Sequence, residues 1–268
     1  MLLFLAGTSD ARALALTIKE AGYSILTTVV TENAGKEMQK VGLDVFVGRL
    51  THQDFVNIIQ KQGFKAVVDA SHPFAEEASK NALLGAKEAG IPYIRYERES
   101  QSYHHPKIRL VENYDHAAEL AAEKKGVIML TTGSKTLETF TRRLLDQPDT
   151  RVIARMLPRK DNMEKCEKLG FPQKDIVAIQ GPFTKEFNSA LYKQYGVTTM
   201  VTKESGKAGS VDEKLEAALE LGIETIMIQR PKIQYGNAFS DFPSVLSHLK
   251  KIFTKENVEA IGGVKDGF

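Results

Sequence analysis

Residues 3–15 read LFLAGTSDARALA. An apolar run meets one glycine, Gly7, and passes through Thr8, Ser9 and Asp10. The stretch that follows carries Ala11, Leu14, Ala15 and Ile18 at i, i+3, i+4 and i+7. An apolar run without alternation reads as a strand covered on both faces, and the spacing after it reads as an amphipathic helix. Strand, tight turn and helix in that order open a βαβ unit. The corner departs from the three-glycine fingerprint of dinucleotide folds, because Ser9 and Arg12 stand where the second and third glycines belong.

The same grammar recurs along the chain. Gly22, Gly42, Gly63, Gly90, Gly170, Gly196 and Gly222 each close a helical pattern, with an apolar residue or tyrosine next and a strand-like run soon after. A glycine just past a helix takes the left-handed conformation without a Cβ penalty, and the next residue packs back on the last turn. Ten runs read as strands: 2–6, 24–30, 44–48, 66–70 and 92–96, then 127–132, 151–156, 176–180, 198–202 and 225–229. Thr51 and Asp54 make a capping pattern ahead of Phe55, Ile58 and Ile59, as Ser210 and Glu213 do ahead of Leu215 and Ala218. Alternating strands and helices give an α/β fold with mainly parallel sheets.

Ten strands with their helices exceed one sheet of this size. The polar stretch 97–107, ERESQSYHHPK, has no periodicity and is the natural break. The expectation is two Rossmann-like domains, 1–98 and 99–253, with an interdomain cleft. Residues 241–253 read as a last helix and 254–268 as a flexible tail. The halves begin alike, LFLAGTSDARALA against IMLTTGSKTLETF at 128–140.

Composition narrows the class. A 42% hydrophobic share among 268 residues supplies a core, and a net charge of +2 gives no footprint for nucleic acid or membrane. The single cysteine, Cys166, excludes an internal disulfide and suits a reducing cytoplasm. It reads as a thiol on a polar helix, not a nucleophile. The start MLLFLAGTSDAR lacks a basic region, and no stretch reaches the ~20 apolar residues of a spanning helix. A cytoplasmic monomer or homodimer is expected.

Ligands of open parallel sheets bind beyond the carboxyl ends of the strands. In the first half, Gly7, Thr8, Ser9 and Arg12 stand at one such end, and a helix N-terminus there offers free N–H groups to phosphate. Ser9 also reads as a simple cap, and Asp10 opposes an anion if it points inward. Thr28 or Thr31 with Lys36 suits a 2′-phosphate and hence NADPH, although Glu32 argues otherwise. In DASHPFAEEA, 69–78, His72 precedes a proline at a strand end, with Asp69 near enough to orient it and Ser71 between them. His72 is a candidate proton donor or cofactor clamp, or a cap for the helix after Pro73. The adjacent pair His104-His105 lacks ligand spacing, so no metal site is expected.

Arg49 stands at another strand end of the first half. The second half gathers cations: Lys135, Arg155, Arg159, Lys160, Lys185, Lys203, Lys207 and Arg230. Cations at helix starts oppose the helix dipole, so their recurrence points to an anionic ligand. Ser205 and Gly206 add hydroxyl and backbone N–H groups beside Lys203 and Lys207.

With these residues assembled, the chain resembles the precorrin-6A reductase family of cobalamin biosynthesis over residues 1 to about 232. The matching stretches are AGTSDARALA, VGRL, DASHPFA, GIPYIRYER, LTTGSK, RMLP, GPFTKEFN and MVTKESGKAGSVDEKLEAALELGIETIMIQRP. Ala6 replaces the first glycine of the usual GGT, and Tyr103 stands for the aromatic residue after the ER segment. The resemblance implies NADPH-dependent reduction of one C=C bond of precorrin-6A or its cobalt form. It implies a cofactor held by Gly7, Thr8, Ser9, Arg12, Thr28, Thr31, Asp69 and Ser71. A polycarboxylate tetrapyrrole would be held by Arg49, Lys135, Arg155, Arg159, Lys203, Ser205, Gly206 and Lys207, and any cobalt would arrive inside that substrate. The rival readings are a cofactor-free tetrapyrrole enzyme like uroporphyrinogen-III synthase and a non-catalytic NADPH sensor.

Overall fold

The computed structural model describes residues 1–100, 102–204 and 212–262. The chain divides into two units, one of residues 1–99 with the segment from Lys232 onward, the other of Ser100–Pro231. The first unit alternates β1 (Leu2–Leu5), α1 (Ser9–Glu20), β2 (Ile25–Val29), α2 (Glu32–Lys40), β3 (Asp44–Val47), α3 (His52–Gln62), β4 (Ala66–Asp69), α4 (Glu76–Glu88) and β5 (Tyr93–Tyr96). The second unit holds β6 (Ile108–Val111), α5 (Tyr114–Ala122), β7 (Gly126–Leu130), α6 (Leu137–Leu144), β8 (Thr150–Met156) and α7 (Lys160–Lys168). It continues with β9 (Ile176–Ala178), α8 (Lys185–Tyr195), β10 (Thr199–Lys203), α9 (Glu213–Glu220) and β11 (Glu224–Ile228). The first unit is completed by β12 (Asn237–Phe239) and α10 (Phe242–Gly262).

Both sheets are six-stranded and parallel throughout. The first runs β3-β2-β1-β4-β5-β12 and the second β9-β8-β7-β10-β11-β6. The two orders are the same: β7 occupies the place of β1, β10 that of β4, β11 that of β5. The likeness of LFLAGTSDARALA and IMLTTGSKTLETF therefore has a structural counterpart, since each segment builds the first strand and helix of its sheet. The sixth strands are exchanged. After β5 the chain leaves to supply β6, the outer partner of β11, and after β11 it returns to supply β12, the outer partner of β5.

Alternation along β1 explains the two layers of the first unit. Leu2 and Phe4 pack with Ala11, Leu14, Ile18 of α1 and Val245 and Leu249 of α10, while Leu3 and Leu5 pack with Phe55, Ile59 and Ala82 on the opposite face. All of these side chains are buried. α3 and α4 approach closely at Gly85, where a Cβ would lie 2.5 Å from Phe55 Cβ and 3.3 Å from the His52 carbonyl oxygen. In the second unit Met129, Ile153, Met200 and Met227 of adjacent strands form the corresponding core with Leu215 and Ala218 of α9.

All ten expected strands are present, and the seven glycines have φ between 65° and 91°. The Thr51–Asp54 capping box forms. Four expectations need correction. The segment from Lys232 belongs with the first unit, not with 99–253, because β12 pairs with β5 and α10 covers the first core. The last helix runs from Phe242 to Gly262, so part of the supposed tail is helical. Thr8, not Ser9, caps α1, accepting the Ala11 N–H at 3.1 Å. Asp212 caps α9 by accepting the Lys214 N–H at 3.2 Å, whereas Ser210 lies outside the described residues. Among the described residues no helix is long and apolar enough to cross a membrane.

Candidate functional site

In the first sheet the strand order reverses between β1 and β4, and their carboxyl ends flank the crevice where open α/β sheets take ligands. Gly7 leaves β1 with φ 149° and is exposed, and no atom lies within 4 Å of where its Cβ would stand. Backbone can therefore be approached closely at the N-terminus of α1. Asp10, the acidic group in that first turn, is ion-paired with Arg98, so its charge is compensated. Ser9 is exposed, and Arg12 lies 3.9 Å from Glu37, a half-exposed pair linking α1 to α2. Thr31 caps α2 through the Ala34 N–H. Thr28 is buried, its hydroxyl 3.4 Å from the Phe4 carbonyl oxygen it donates to, so it ties β2 to β1. Lys36 is exposed on α2.

Across the crevice, β4 ends in Asp69 and the chain turns through Ala70, Ser71 and His72. Asp69 does not reach the surface: its side chain is 0% exposed. Its Oδ1 accepts from the Ser71 N–H at 2.9 Å and lies 2.9 Å from Arg95 Nη1, and its Oδ2 accepts from the Tyr93 hydroxyl at 2.6 Å. Burial opposes ionisation of Asp69, but Arg95 and the hydrogen bonds from Ser71, Ser79 and Tyr93 outweigh it and hold the carboxyl below its usual range. The expectation that Asp69 orients His72 is replaced by a different arrangement, in which Asp69 organises the backbone leading to His72. The imidazole is partly buried, and its Nδ1 accepts the Phe74 N–H at 3.2 Å. It therefore braces the turn ahead of α4, whose own N-cap position, Ala75, has no side-chain cap bond. Nδ1 acting as acceptor leaves Nε2 as the nitrogen that carries the proton in the neutral ring.

The second sheet reverses between β7 and β10. Thr132, Gly133, Ser134 and Lys135 follow β7, and Lys203 ends β10. Lys203 is partly buried, and desolvation, with Lys214 and Lys135 nearby, lowers its amine to about 8. Lys214 and Lys135 thus act on Lys203 as like charges, and Lys214 is itself paired with Asp212 at 3.0 Å. Arg155, at the end of β8, donates from Nη1 to Asn188 Oδ1 at 2.7 Å and lies 4.9 Å from the Phe183 ring centroid. Burial lowers its pKa. Ser134 donates to Asn162 Oδ1 at 2.5 Å, and Asn162 donates to the Leu157 carbonyl, which ties the turn after β7 to that after β8.

The remaining cations are engaged differently. Arg159 makes two hydrogen bonds to Asp161, at 2.9 and 3.0 Å, and Lys160 lies 3.5 Å from Glu164. Lys185 holds Glu216 and Glu220, and Arg230 pairs with Glu204. Arg159, Lys160, Lys185 and Arg230 are thus paired with carboxylates of their own unit. Arg49 lies in the first unit, not with the other cations, in the exposed turn after β3. There Gly48 N–H donates to the Val29 carbonyl at the end of β2. Ser205, Gly206 and Lys207 lie outside the described residues. Cys166 is buried and donates to Met156 Sδ at 3.5 Å, and burial pushes its thiol pKa up. Among the described residues no group of three or more His, Cys, Asp or Glu could hold a metal.

Sequence reasoning reached Arg95 only as the end of a strand and missed both Tyr93 and the pairing of Arg95 with Asp69. Asp69 and Arg95 are directly paired in the parallel register of β4 and β5. The signal was a charged residue inside the apolar run PYIRY, which a strand covered on both faces tolerates only with a partner.

A family model described as Precorrin-6x reductase CbiJ/CobK matches residues 1–250. The chain is 64% identical over 249 residues to a cobalt-precorrin-6A reductase of Priestia megaterium, covering 93% of this chain and 98% of the relative. It is 34% identical over 252 residues to the cobalt-precorrin-6A reductase of Methanocaldococcus jannaschii, covering 94% and 98%. A solved structure titled CobK precorrin-6A reductase superposes with a TM-score of 0.76 at 24% identity, over 94% of this chain and 96% of that one, a likeness of fold. With that family model spanning residues 1–250 and relatives at 64% and 34% identity over nearly their whole length, the chain belongs to the precorrin-6x reductase CbiJ/CobK family.

Proposed function

We propose that this protein reduces one C=C bond of cobalt-precorrin-6A, in cobalamin biosynthesis, with NADPH as the reductant. The observation that carries the reading is the position of Gly7, Thr8 and Ser9 opposite Ser71 and His72 at the reversal of the first sheet, in a chain of this reductase family. Family membership sets aside the cofactor-free synthase and the sensor. The residues present fit a reduced dinucleotide: an open approach at Gly7, the free N–H groups of α1, and Asp10 neutralised by Arg98. Bound there, the nicotinamide supplies two electrons and a hydrogen as hydride.

The chain's own residues do the rest. Gly7, Thr8, Ser9 and the first turn of α1 hold the diphosphate. Thr31 and Arg49, beside the end of β2, take the 2′-phosphate, which moves Arg49 from the substrate to the cofactor. Ser71 and His72 line the reacting end. His72 acts as the general acid in its imidazolium form: a proton on Nδ1 takes the place of the Phe74 N–H bond it accepts in the neutral ring, and Nε2 then delivers its proton to the carbon next to the one that accepts hydride, leaving a neutral imidazole. Lys203, Lys135 and Arg155 hold the carboxylates of the macrocycle. No covalent intermediate is needed.

The test is anaerobic incubation with cobalt-precorrin-6A and with the metal-free form, each with NADPH and with NADH, following pigment and nicotinamide absorbance together. One NADPH consumed per macrocycle reduced, fastest with the cobalt form, is expected. Pigment that stays unchanged with either nicotinamide would refute the reading. His72→Ala is expected to lower turnover at least tenfold.

A further inference from the structure

The first unit buries a full cation where its fold has little use for one. Arg95 sits in the middle of β5 between Ile94 and Tyr96, and its side chain is 0% exposed. A strand covered on both faces would accept a leucine here, and replacing a buried ion pair by apolar side chains is often neutral or stabilising. The guanidinium is not even fully used. Nε and Nη2 make no hydrogen bond, Nη2 lying 3.5 Å from Glu97 Oε1, and the cation rests 5.0 Å from the centroid of the Tyr235 ring.

What Arg95 does use is Nη1, and everything it reaches lies in one turn. Nη1 is 2.9 Å from Asp69 Oδ1, 3.5 Å from the Asp69 carbonyl oxygen and 3.3 Å from Ser71 Oγ. Asp69 in turn accepts the Ser71 N–H and the Tyr93 hydroxyl, and Ser71 Oγ is 3.3 Å from Ser79 Oγ of α4. Backbone carbonyl, carboxylate and hydroxyl of the chain leaving β4 are thus tied to one planar group on the neighbouring strand. The next residue is His72.

We infer that Arg95, with Asp69 and Tyr93, is a positioning residue for the reaction: it fixes the turn that presents Ser71 and His72. The inference rests on the role proposed above for that turn. Neither Arg95 nor Asp69 has surface with which to touch a ligand, so the effect passes through the backbone of residues 69–72.

Arg95→Lys keeps the charge and loses the planar fork. A misplacement of about 1 Å in a catalytic group costs up to ~100-fold, so kcat is expected to fall about tenfold to a hundredfold while KM for NADPH changes less than about threefold. Tyr93→Phe removes one hydrogen bond to Asp69 and is expected to lower kcat about threefold. Both variants are assayed well below their melting temperatures, where each is fully folded. A purely structural role then leaves kcat unchanged, and a positional one leaves the deficit in place. Hydrogen exchange at the amides of residues 70–72, 74 and 75 is expected to quicken in both. If Arg95→Lys does not accumulate as folded protein, Tyr93→Phe decides alone. His72→Ala run alongside separates the two claims. Loss in His72→Ala with full kcat in the folded Arg95 and Tyr93 variants overturns the positioning role and leaves His72 standing. Full kcat in His72→Ala removes the role of the turn, and the inference with it.

Discussion

Lys203→Met tests whether the second unit is built around an anion. In the free protein, burial together with Lys214 and Lys135 lowers the Lys203 amine from the usual 10.5 to about 8. At ~1.4 kcal/mol per pH unit, holding that ammonium charged near pH 7 costs the folded state about 3 kcal/mol. The folded protein gives up the proton near 8, the unfolded chain near 10.5. Between those values the unfolded chain binds more protons, so stability rises with pH. The penalty is present in full below about pH 8 and gone above about pH 10.5. Methionine fills the space of the lysine stem without the charge. The variant is therefore expected to be about 2–3 kcal/mol more stable than the parent near pH 7, with the difference shrinking toward zero by about pH 10.5. Urea unfolding of both proteins at the two pH values measures this. The same substitution removes a charge-assisted contact worth about 1.5–3 kcal/mol, so KM for the tetrapyrrole should rise roughly 10- to 100-fold. A variant less stable than the parent near pH 7, or a stability gain that ignores pH, would refute the argument that Lys203 is held charged at the fold's expense for a ligand.

Three further substitutions probe the first unit. Gly85→Ala places a Cβ 2.5 Å from Phe55 Cβ and should cost about 1–3 kcal/mol in urea unfolding by forcing α3 and α4 apart; an unchanged midpoint would mean the helices have room that the packing does not indicate. Gly7→Ala meets no neighbour, so stability should drop by only about 1 kcal/mol from the backbone conformation. Its affinity for NADPH, read by fluorescence titration, should fall at least tenfold, and equal affinity would move the diphosphate away from this turn. Arg49→Gln should raise KM for NADPH about tenfold and leave NADH unaffected, since a charged contact of about 1.5–3 kcal/mol is lost only with the 2′-phosphate; a parallel change for both cofactors would return Arg49 to another role.

Much of the fold was legible because it is written in local terms. A glycine past a helix and an apolar run after it are short-range signals, and all seven junctions and all ten expected strands are present. The two strands that escaped notice are edge strands. β12 is three residues, largely exposed, and β6 has exposed Arg109 and Leu110 at its centre, so neither shows an uninterrupted apolar run. Without them, the return of the chain to the first sheet could not be seen. The sites were legible by position and not by partnership. Reading strand ends found Gly7, Ser71, His72, Lys203 and Arg155. It could not tell Arg155, bonded to neutral Asn188, from Arg159, Lys185 and Arg230, which face carboxylates two to 35 residues away. Asp69 was assigned to His72 because they are three residues apart, whereas its main partner, Arg95, lies 26 residues on and meets it only through sheet register.

The exchange of outer strands sets an order of events on the ribosome. β5 emerges with one edge open, and the strand that covers it, β12, begins 141 residues after Tyr96. At about 5–20 residues per second, that edge waits roughly 10–30 s for its neighbour. In the inserted unit the outer strand comes first: β6 waits for β11, its last strand, and β11 emerges before β12, so the half begun second closes first. During the wait the open edge of β5, the strand carrying Arg95, is available to a second nascent chain. Pairing of that edge between copies is the misassembly this topology invites.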